Sequence, residues 1–171
     1  CSLSKNCNSL LMWSYYGGHK GICIGLNREK TKACLSNILH SNYIGAFEME
    51  VQYKDIVEKP DYFHNRLDFL KYQLSTKAKD WAHEQEVRFL LIDPSLASVP
   101  HHPAFVDYVG THAFHDLTPE CFESLYFGGK VKEEIRTRII KVAKKLNPSI
   151  KIYRMAIDPE AFRLKAVLFQ E

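Results

Sequence analysis

The sequence of 171 residues lacks the patterns of several protein classes. No apolar run approaches the ~20 residues that cross a bilayer, which argues against a membrane partner. No Gly-rich dinucleotide-binding loop, internal repeat or low-complexity segment is present. The formal net charge of +3 is too small to imply nucleic-acid binding by itself. With 46% hydrophobic and 25% charged residues, the chain is typical of one globular domain.

Cysteine pairs are also lacking. The five cysteines are odd in number and form no Cys-x-x-Cys motif, so neither a disulfide framework nor a zinc ribbon is indicated. This usage favours a reducing, cytoplasmic setting. The chain opens on Cys1, and the next three residues have the pattern of a strand end. We therefore expect residues 1–171 to form a single domain, the C-terminal portion of a longer chain whose N-terminal segment is absent.

Periodicity and end signals predict a mixture of helices and strands. The predicted helices cover residues 8–16, 28–39, 61–83 and 133–146. The predicted strands cover residues 21–26, 46–53, 86–92, 105–114, 125–127, 150–157 and 163–169, with a loop around His102 and Pro103. Because the two kinds of element follow each other without a regular alternation, we expect an α+β fold rather than a doubly wound sheet.

The most informative motif lies at the start of the strand at 86–92, where two carboxylates precede an arginine. At a period of two, Glu84, Glu86 and Arg88 would share one face, while Val87 and Phe89 would enter the core. The repulsion between neighbouring carboxylates raises the proton affinity of one of them, and such a pair suits binding a cation or stabilising positive charge in a sugar. Arg88 could keep one of them ionised. A surface pair between Glu84 and Arg88, worth ~0–1 kcal/mol, is an equally good interpretation of the spacing.

A second motif combines aromatic residues, a glycine pair and a histidine near the N-terminus. Trp13 and Tyr16 could form a wall for a flat ring, with His19 or Tyr16 donating a hydrogen bond. The alternative is that both aromatic residues are simply core. Ser4 has no histidine and aspartate at the spacing of a serine hydrolase, so a positioning hydroxyl is the better interpretation.

Metal binding has little support in the sequence. The histidines at 101, 102, 112 and 115 do not show the spacing of a ligand set, and we expect no metal site. A metal-dependent hydrolase would need further carboxylates near Glu84 and Glu86. Asp80, Asp93 and Asp107 are available, but their spacing is not diagnostic.

Several segments together resemble the domain-of-unknown-function family 2971. They occur in the family's order and cover most of the chain: Cys1 to Ser4, Leu11 to Tyr16, His19 to Ile24, Val51 to Tyr53, and Lys77 through Trp81 to Arg88. Leu3 stands where the family usually has phenylalanine, and His83 stands where a tyrosine is usual. Neither departure removes a candidate catalytic group.

The same pattern bears a more distant resemblance to ADP-ribosyltransferase-like toxins, and this resemblance implies both a fold and a site. The implied fold is a mainly antiparallel, split β-sheet core flanked by helices, and the implied substrate is NAD. Glu86 would stabilise the oxocarbenium-like transition state, Glu84 would orient the acceptor, and Ser4 would lie beside the nicotinamide. Trp13, Tyr16, His19 and Arg88 complete the expected NAD-binding set.

The resemblance also implies a biological setting, a bacterial toxin or phage-defence effector. Its acceptor would be a protein or a nucleic acid, and an antitoxin or another protein would be its partner. A different class of function uses the same residues, because a non-catalytic recognition module could bind a partner through the face that carries Glu84 and Glu86. The sequence leaves these two hypotheses, and the less favoured metal-dependent hydrolase, open.

Overall fold

The computed structural model describes residues 1–40, 45–61, 63–64, 66–92, 107–109, 112–114 and 116–169. The α-helices in these ranges are α1 (Leu10–Gly17), α2 (Arg28–His40), α3 (Arg66–Ser75) and α4 (Glu133–Leu146). The β-strands are β1 (Ser2–Ser4), β2 (Ile22–Leu26), β3 (Gly45–Glu50), β4 (Gln52–Lys54), β5 (Thr76–Ala78), β6 (Glu86–Ile92), β7 (Asp107–Val109), β8 (His112–Phe114), β9 (Phe122–Phe127), β10 (Lys151–Ile157) and β11 (Leu164–Leu168). Two short 3₁₀ helices cover Lys79–Glu84 and Pro119–Cys121.

The strands form two main sheets and two smaller pairs. The first sheet has the order β1-β6-β3 and is antiparallel throughout. The second sheet has the order β11-β10-β9-β2, in which β9 and β10 are parallel and the other neighbours are antiparallel. Strands β4 and β5 pair in parallel, and β7 and β8 pair antiparallel. The fold is therefore α+β with mainly antiparallel sheets flanked by helices, as the sequence predicted.

Helix α4 covers one face of the second sheet. Alternate residues of β9, of β10 and of the position just before β10 are buried on this face, and they pack against half-buried residues of α4. The buried set is Leu125, Phe127, Ile150 and Ile152, and α4 contributes Ile139, Ile140 and Ala143. Glutamates occupy the first turn of α4 and lysines its last turn, which suits the helix dipole.

Helix α1 lies against the other face of the second sheet. Trp13 is 7% exposed and packs with Met155 and Leu164. Its indole Nε1 donates to the carbonyl oxygen of Cys7 at 2.7 Å, so the polar end of the ring is satisfied. The side chain of Ser9 caps the start of α1, and Gly18 ends it in the left-handed conformation. These contacts fix the helix that carries Tyr16.

Strand β6 is the centre of the first sheet. Its residues Val87 and Phe89 are buried, whereas Glu86 and Arg88 belong to the opposite face. On β1, Ser4 lies opposite Glu86 and Ser2 lies opposite Arg88. One face of β6 thus packs into the interior, and the other carries charged groups next to two serine hydroxyls.

Most of the predicted elements agree with the structure, including α1, α2, α4, β2, β10 and β11. The predicted helix over 61–83 is confirmed only over Arg66–Ser75. Residues 61, 63 and 64 are not helical, and at the other end Thr76–Ala78 hydrogen-bonds to β4 and a 3₁₀ helix follows it. The predicted strand over 46–53 is two strands, because Gly45–Glu50 pairs with β6 whereas Gln52–Lys54 pairs with β5. Strand β9 begins at Phe122, before the predicted start.

Other predictions concern residues that are only partly described. The predicted loop with His102 and Pro103 lies outside the described residues. The predicted single strand over 105–114 is wrong in its described part, because β7 and β8 are two strands that pair antiparallel with each other. In the ranges that the structure describes, each helix is too short or too polar to cross a membrane.

A close backbone approach at Gly128 gives the first testable prediction. A Cβ atom at Gly128 would collide with the carbonyl group of His19, whereas a Cβ at Gly129 would meet Met155 at an ordinary 3.4 Å. Gly128→Ala should therefore lower the free energy of unfolding by about 1–3 kcal/mol. Gly129→Ala is the matched control and should change it little. Urea unfolding of both variants checks this, and equal midpoints would contradict it.

Candidate active site

A cavity of about 450 Å³ lies at the charged face of the first sheet. Its volume is within the range of small-molecule sites, about 300–1,000 Å³. Strands β1, β5 and β6, helix α1 and the 3₁₀ helix before β6 all contribute side chains to it. The lining residues are Ser2, Leu3, Ser4, Met12, Tyr16, Lys77, Glu84, Glu86 and Arg88.

The two carboxylates reach this cavity from different elements. Glu84 ends the 3₁₀ helix and Glu86 begins β6, so Glu84 does not lie on the strand where the sequence placed it. Gln85 joins them with φ 46° and ψ 52°, in the left-handed region that is uncommon for a residue with a side chain. Glu84 is 4% exposed and Glu86 is 6% exposed. Such backbone strain is often found at functional sites.

Two cations neutralise the two carboxylates. The Nζ atom of Lys77 donates to Oε2 of Glu84 and, at 3.3 Å, to Oε2 of Glu86. Arg88 donates to Glu86 through Nε at 2.8 Å and through Nη2 at 3.2 Å. Because two positive and two negative groups are present, the cluster has no net charge. Buried charges are tolerated when they are paired in this way.

Neutral groups complete the cluster and fix its geometry. Arg88 Nη1 donates to the carbonyl oxygen of Leu74 at 2.8 Å, near the C-terminal end of α3. The hydroxyl of Tyr16 donates to Oε1 of Glu84 at 2.7 Å. The hydroxyl of Tyr53 accepts from the N–H of Glu86 at 2.8 Å. The carboxylates are therefore held from several sides.

The surroundings keep both carboxylates ionised. The Arg88 guanidinium is the main cause that lowers the pKa of Glu86 to about 2, with help from Ser2 and Lys77 against the effect of burial. Burial disfavours the charged form of Glu84, but hydrogen bonds from Lys77 and Tyr16 outweigh it and lower its pKa. Burial likewise opposes the charge on Lys77, yet the two glutamates raise its pKa.

Ser4 contacts the backbone around the acidic motif. Its Oγ atom donates to the carbonyl oxygen of Glu84 at 2.6 Å and accepts from the N–H of Asn6 at 3.1 Å. These bonds make Ser4 a residue that orients the chain at Glu84. Its hydroxyl lines the same cavity as the carboxylates.

The cavity brings together five of the seven residues that the sequence singled out: Ser4, Tyr16, Glu84, Glu86 and Arg88. Trp13 lies in the core and lines a neighbouring cavity of about 140 Å³. His19 is not among the described residues that line either cavity, and its Nε2 lies 3.1 Å from Oγ of Ser14. Neither of these two residues lines the cavity that contains the carboxylates.

Lys77 is the main residue to which sequence reasoning assigned no role. A signal was available, because Lys77 opens the segment with Trp81 and the acidic pair that resembles the family. The predicted helix over 61–83 gave no reason to assign Lys77 to the site, because a helix would not have placed Lys77 beside both glutamates. The hydrogen bonds of β5 to β4 place it there instead.

Metal coordination finds no support among the described side chains, where no three His, Cys, Asp or Glu residues come together. The candidates at 93, 101, 102 and 115 lie outside the described residues. The oxygens of Glu84 and Glu86 already accept hydrogen bonds from cations, so a metal ion would have to displace Lys77 or Arg88.

The match to a known family covers most of this site. Residues 12–89 match the model of a family described as "Protein of unknown function (DUF2971)". Comparison with curated proteins and with solved structures gave no match. The matched segment contains the cation and carboxylate cluster together with Met12 and Tyr16, while Ser2 and Ser4 precede it. The ionic cluster thus lies wholly within the region similar to this family.

The low pKa of Glu86 predicts how stability depends on pH. The folded protein binds this proton less tightly than the unfolded chain, so the stability that Glu86 contributes is complete above the ordinary pKa of 4.5. It is lost as the pH falls through 4.5 towards about 2. We expect Glu86→Gln to flatten the fall in unfolding free energy over this interval, measured by urea unfolding. Glu123→Gln, at an exposed position of β9, should show the same fall in unfolding free energy as the wild type. Identical pH profiles for all three proteins would contradict this assignment.

Proposed function

We propose that this protein is an NAD-dependent ADP-ribosyltransferase-like enzyme. The observation that supports the proposal is the pair of buried, ionised carboxylates, Glu84 and Glu86, in a cavity next to the hydroxyls of β1. The position of Ser4 at the end of β1, opposite Glu86 on β6, supports the proposal as well. The proposed fold family is likewise that of the ADP-ribosyltransferases.

The chemistry needs a fixed negative charge beside a sugar. When the bond between the ribose anomeric carbon and nicotinamide breaks, its electron pair leaves with the ring nitrogen and positive charge develops on the sugar. The ionised carboxylate of Glu86 would stabilise this charge, and its hydrogen bonds hold it in place beforehand. The acceptor then forms the new bond to the anomeric carbon and releases a proton. Glu84 would orient the acceptor.

The cavity suits one half of NAD. Its volume of about 450 Å³, its carboxylates and its hydroxyls fit the nicotinamide and its ribose. Tyr16, which is 65% exposed and hydrogen-bonded to Glu84, would form the wall beside the ring. The cations among the lining residues, Lys77 and Arg88, are engaged by carboxylates, so we assign no residue to the diphosphate.

The setting that we propose is a bacterial toxin or phage-defence effector, with a protein or nucleic acid as acceptor and an antitoxin or other protein as partner. This part of the proposal rests on the resemblance to ADP-ribosyltransferase-like toxins. A cytoplasmic location would suit such a role.

A second candidate function is a non-catalytic recognition module. The observation that favours it is the neutrality of the cluster, because Lys77 and Arg88 satisfy both carboxylates without any ligand. In such a module, the same cavity would bind a partner group and Glu86 would stabilise the site. A metal-dependent hydrolase is less well supported, since cations occupy the oxygens that a metal would need.

Glu86→Gln separates the two functions. If the protein is an enzyme, NAD consumption should fall by about 100-fold or more, because the charge that stabilises the transition state is removed. Glu123→Gln removes an exposed glutamate and should retain wild-type turnover. The measurement is release of nicotinamide by the purified protein with candidate acceptors. A wild-type protein that neither consumes NAD nor labels any acceptor, and that loses partner binding on Glu86→Gln, would favour the module instead.

A further inference from the structure

Lys77 lies at the point where the two carboxylates can hold a positive charge together. Its Nζ atom donates to one oxygen of Glu84 and one oxygen of Glu86, and the residue lines the cavity. A cationic group of a ligand would be most stable at this same point, because both negative charges act there. Two cations cannot occupy it at once.

The two cations of the cluster differ in how firmly they are fixed. Arg88 holds Glu86 through two nitrogens of a planar fork and holds the carbonyl oxygen of Leu74 through the third. Removing Arg88 would therefore leave a backbone acceptor without this bond. The ammonium of Lys77 is a point charge on a flexible stem, and its side chain is 27% exposed. Lys77 is the cation that can leave.

The ring of Trp81 lies beside the ammonium of Lys77. Lys77 Nζ already lies 5.1 Å from the ring centroid of Trp81, within the range of a cation–π contact. Trp81 is 41% exposed, so an ammonium on its ring would also be reached by water. Rotation of the last bonds of the lysine stem would move the charge from the carboxylates towards Trp81. The charge would not have to enter an apolar region.

We propose that Lys77 occupies the place of a ligand's positive charge between Glu84 and Glu86, and that a cationic ligand binds by displacing it towards Trp81. Lys77 is then the residue that determines specificity in this cavity. Lys77 lowers the affinity of the cavity for cations in general. A cation binds when its other contacts with the cavity compensate for the displacement of Lys77. This inference rests on the proposed function for the identity of the cation, the nicotinamide ring bonded to ribose, but the displacement itself requires no turnover.

The test compares two ligands of nearly the same shape and different charge. Nicotinamide is neutral, and nicotinamide methylated on its ring nitrogen is a cation. Their dissociation constants are measured by calorimetry with wild-type protein and with Lys77→Gln, which keeps a hydrogen-bond donor and removes the charge. Lys79→Gln is the matched control, because Lys79 is an exposed lysine paired with Asp55.

Lys77→Gln should raise the affinity for the cation by about 10-fold and change the affinity for nicotinamide less than about twofold. Lys79→Gln should change neither. If Lys77 had a merely structural role, Lys77→Gln would change the affinities for both ligands equally, and that result would overturn the proposal. Absence of cation binding to Lys77→Gln would also overturn it.

A second variant keeps the test valid if Lys77→Gln does not fold. Trp81→Leu leaves the ion pairs intact and removes the alternative position of the ammonium. It should weaken binding of the cation relative to nicotinamide, whereas an unchanged ratio would contradict the displacement. NAD consumption is measured separately. The proposed enzyme can therefore fail while the displacement holds, and the displacement can fail while NAD is still consumed.

Discussion

The paired charges of Glu84 and Glu86 with Lys77 and Arg88 join the elements around the cavity. Through these ion pairs and the hydrogen bonds of Tyr16 and Leu74, the cluster connects α1, α3, β5, β6 and the 3₁₀ helix. Each carboxylate is nearly inaccessible to water, so its charge depends on its partners. The shape of the cavity and the stability of the strands around it consequently depend on the same interactions.

This dependence has a functional consequence. A carboxylate that stabilises a developing positive charge acts best when it is ionised and fixed before the substrate arrives. The protein achieves this by surrounding Glu86 with donors that lower its pKa to about 2. The same donors compete with a cationic substrate. The carboxylate must be held in place and must also be available to the substrate, and these requirements oppose each other. A lysine that can be displaced, beside an arginine that is fixed, meets both.

Local sequence patterns predicted those features of the fold that depend on a single helix or strand. The alternation in β6 predicted that Val87 and Phe89 are buried opposite Glu86, because side chains of a strand alternate between its faces. Periodicity and end signals predicted α1 and α4 in the same way. The prediction of a helix over 61–83 was wrong at both ends. At the C-terminal end, β5 forms its hydrogen bonds with β4, and the periodicity of a single segment does not identify a partner strand.

The candidate site was also predicted only in part from the sequence. The sequence by itself determined the two glutamates and the arginine as an unusual group, and it placed Ser4 and Tyr16 among the candidates. Only the tertiary structure decided that Trp13 belongs to the core and that Lys77 lies between the carboxylates. The physical reason is that residue type and spacing fix which side chains share an element. The partner of a buried charge is fixed by which elements pack together, and that depends on contacts between residues far apart in the chain.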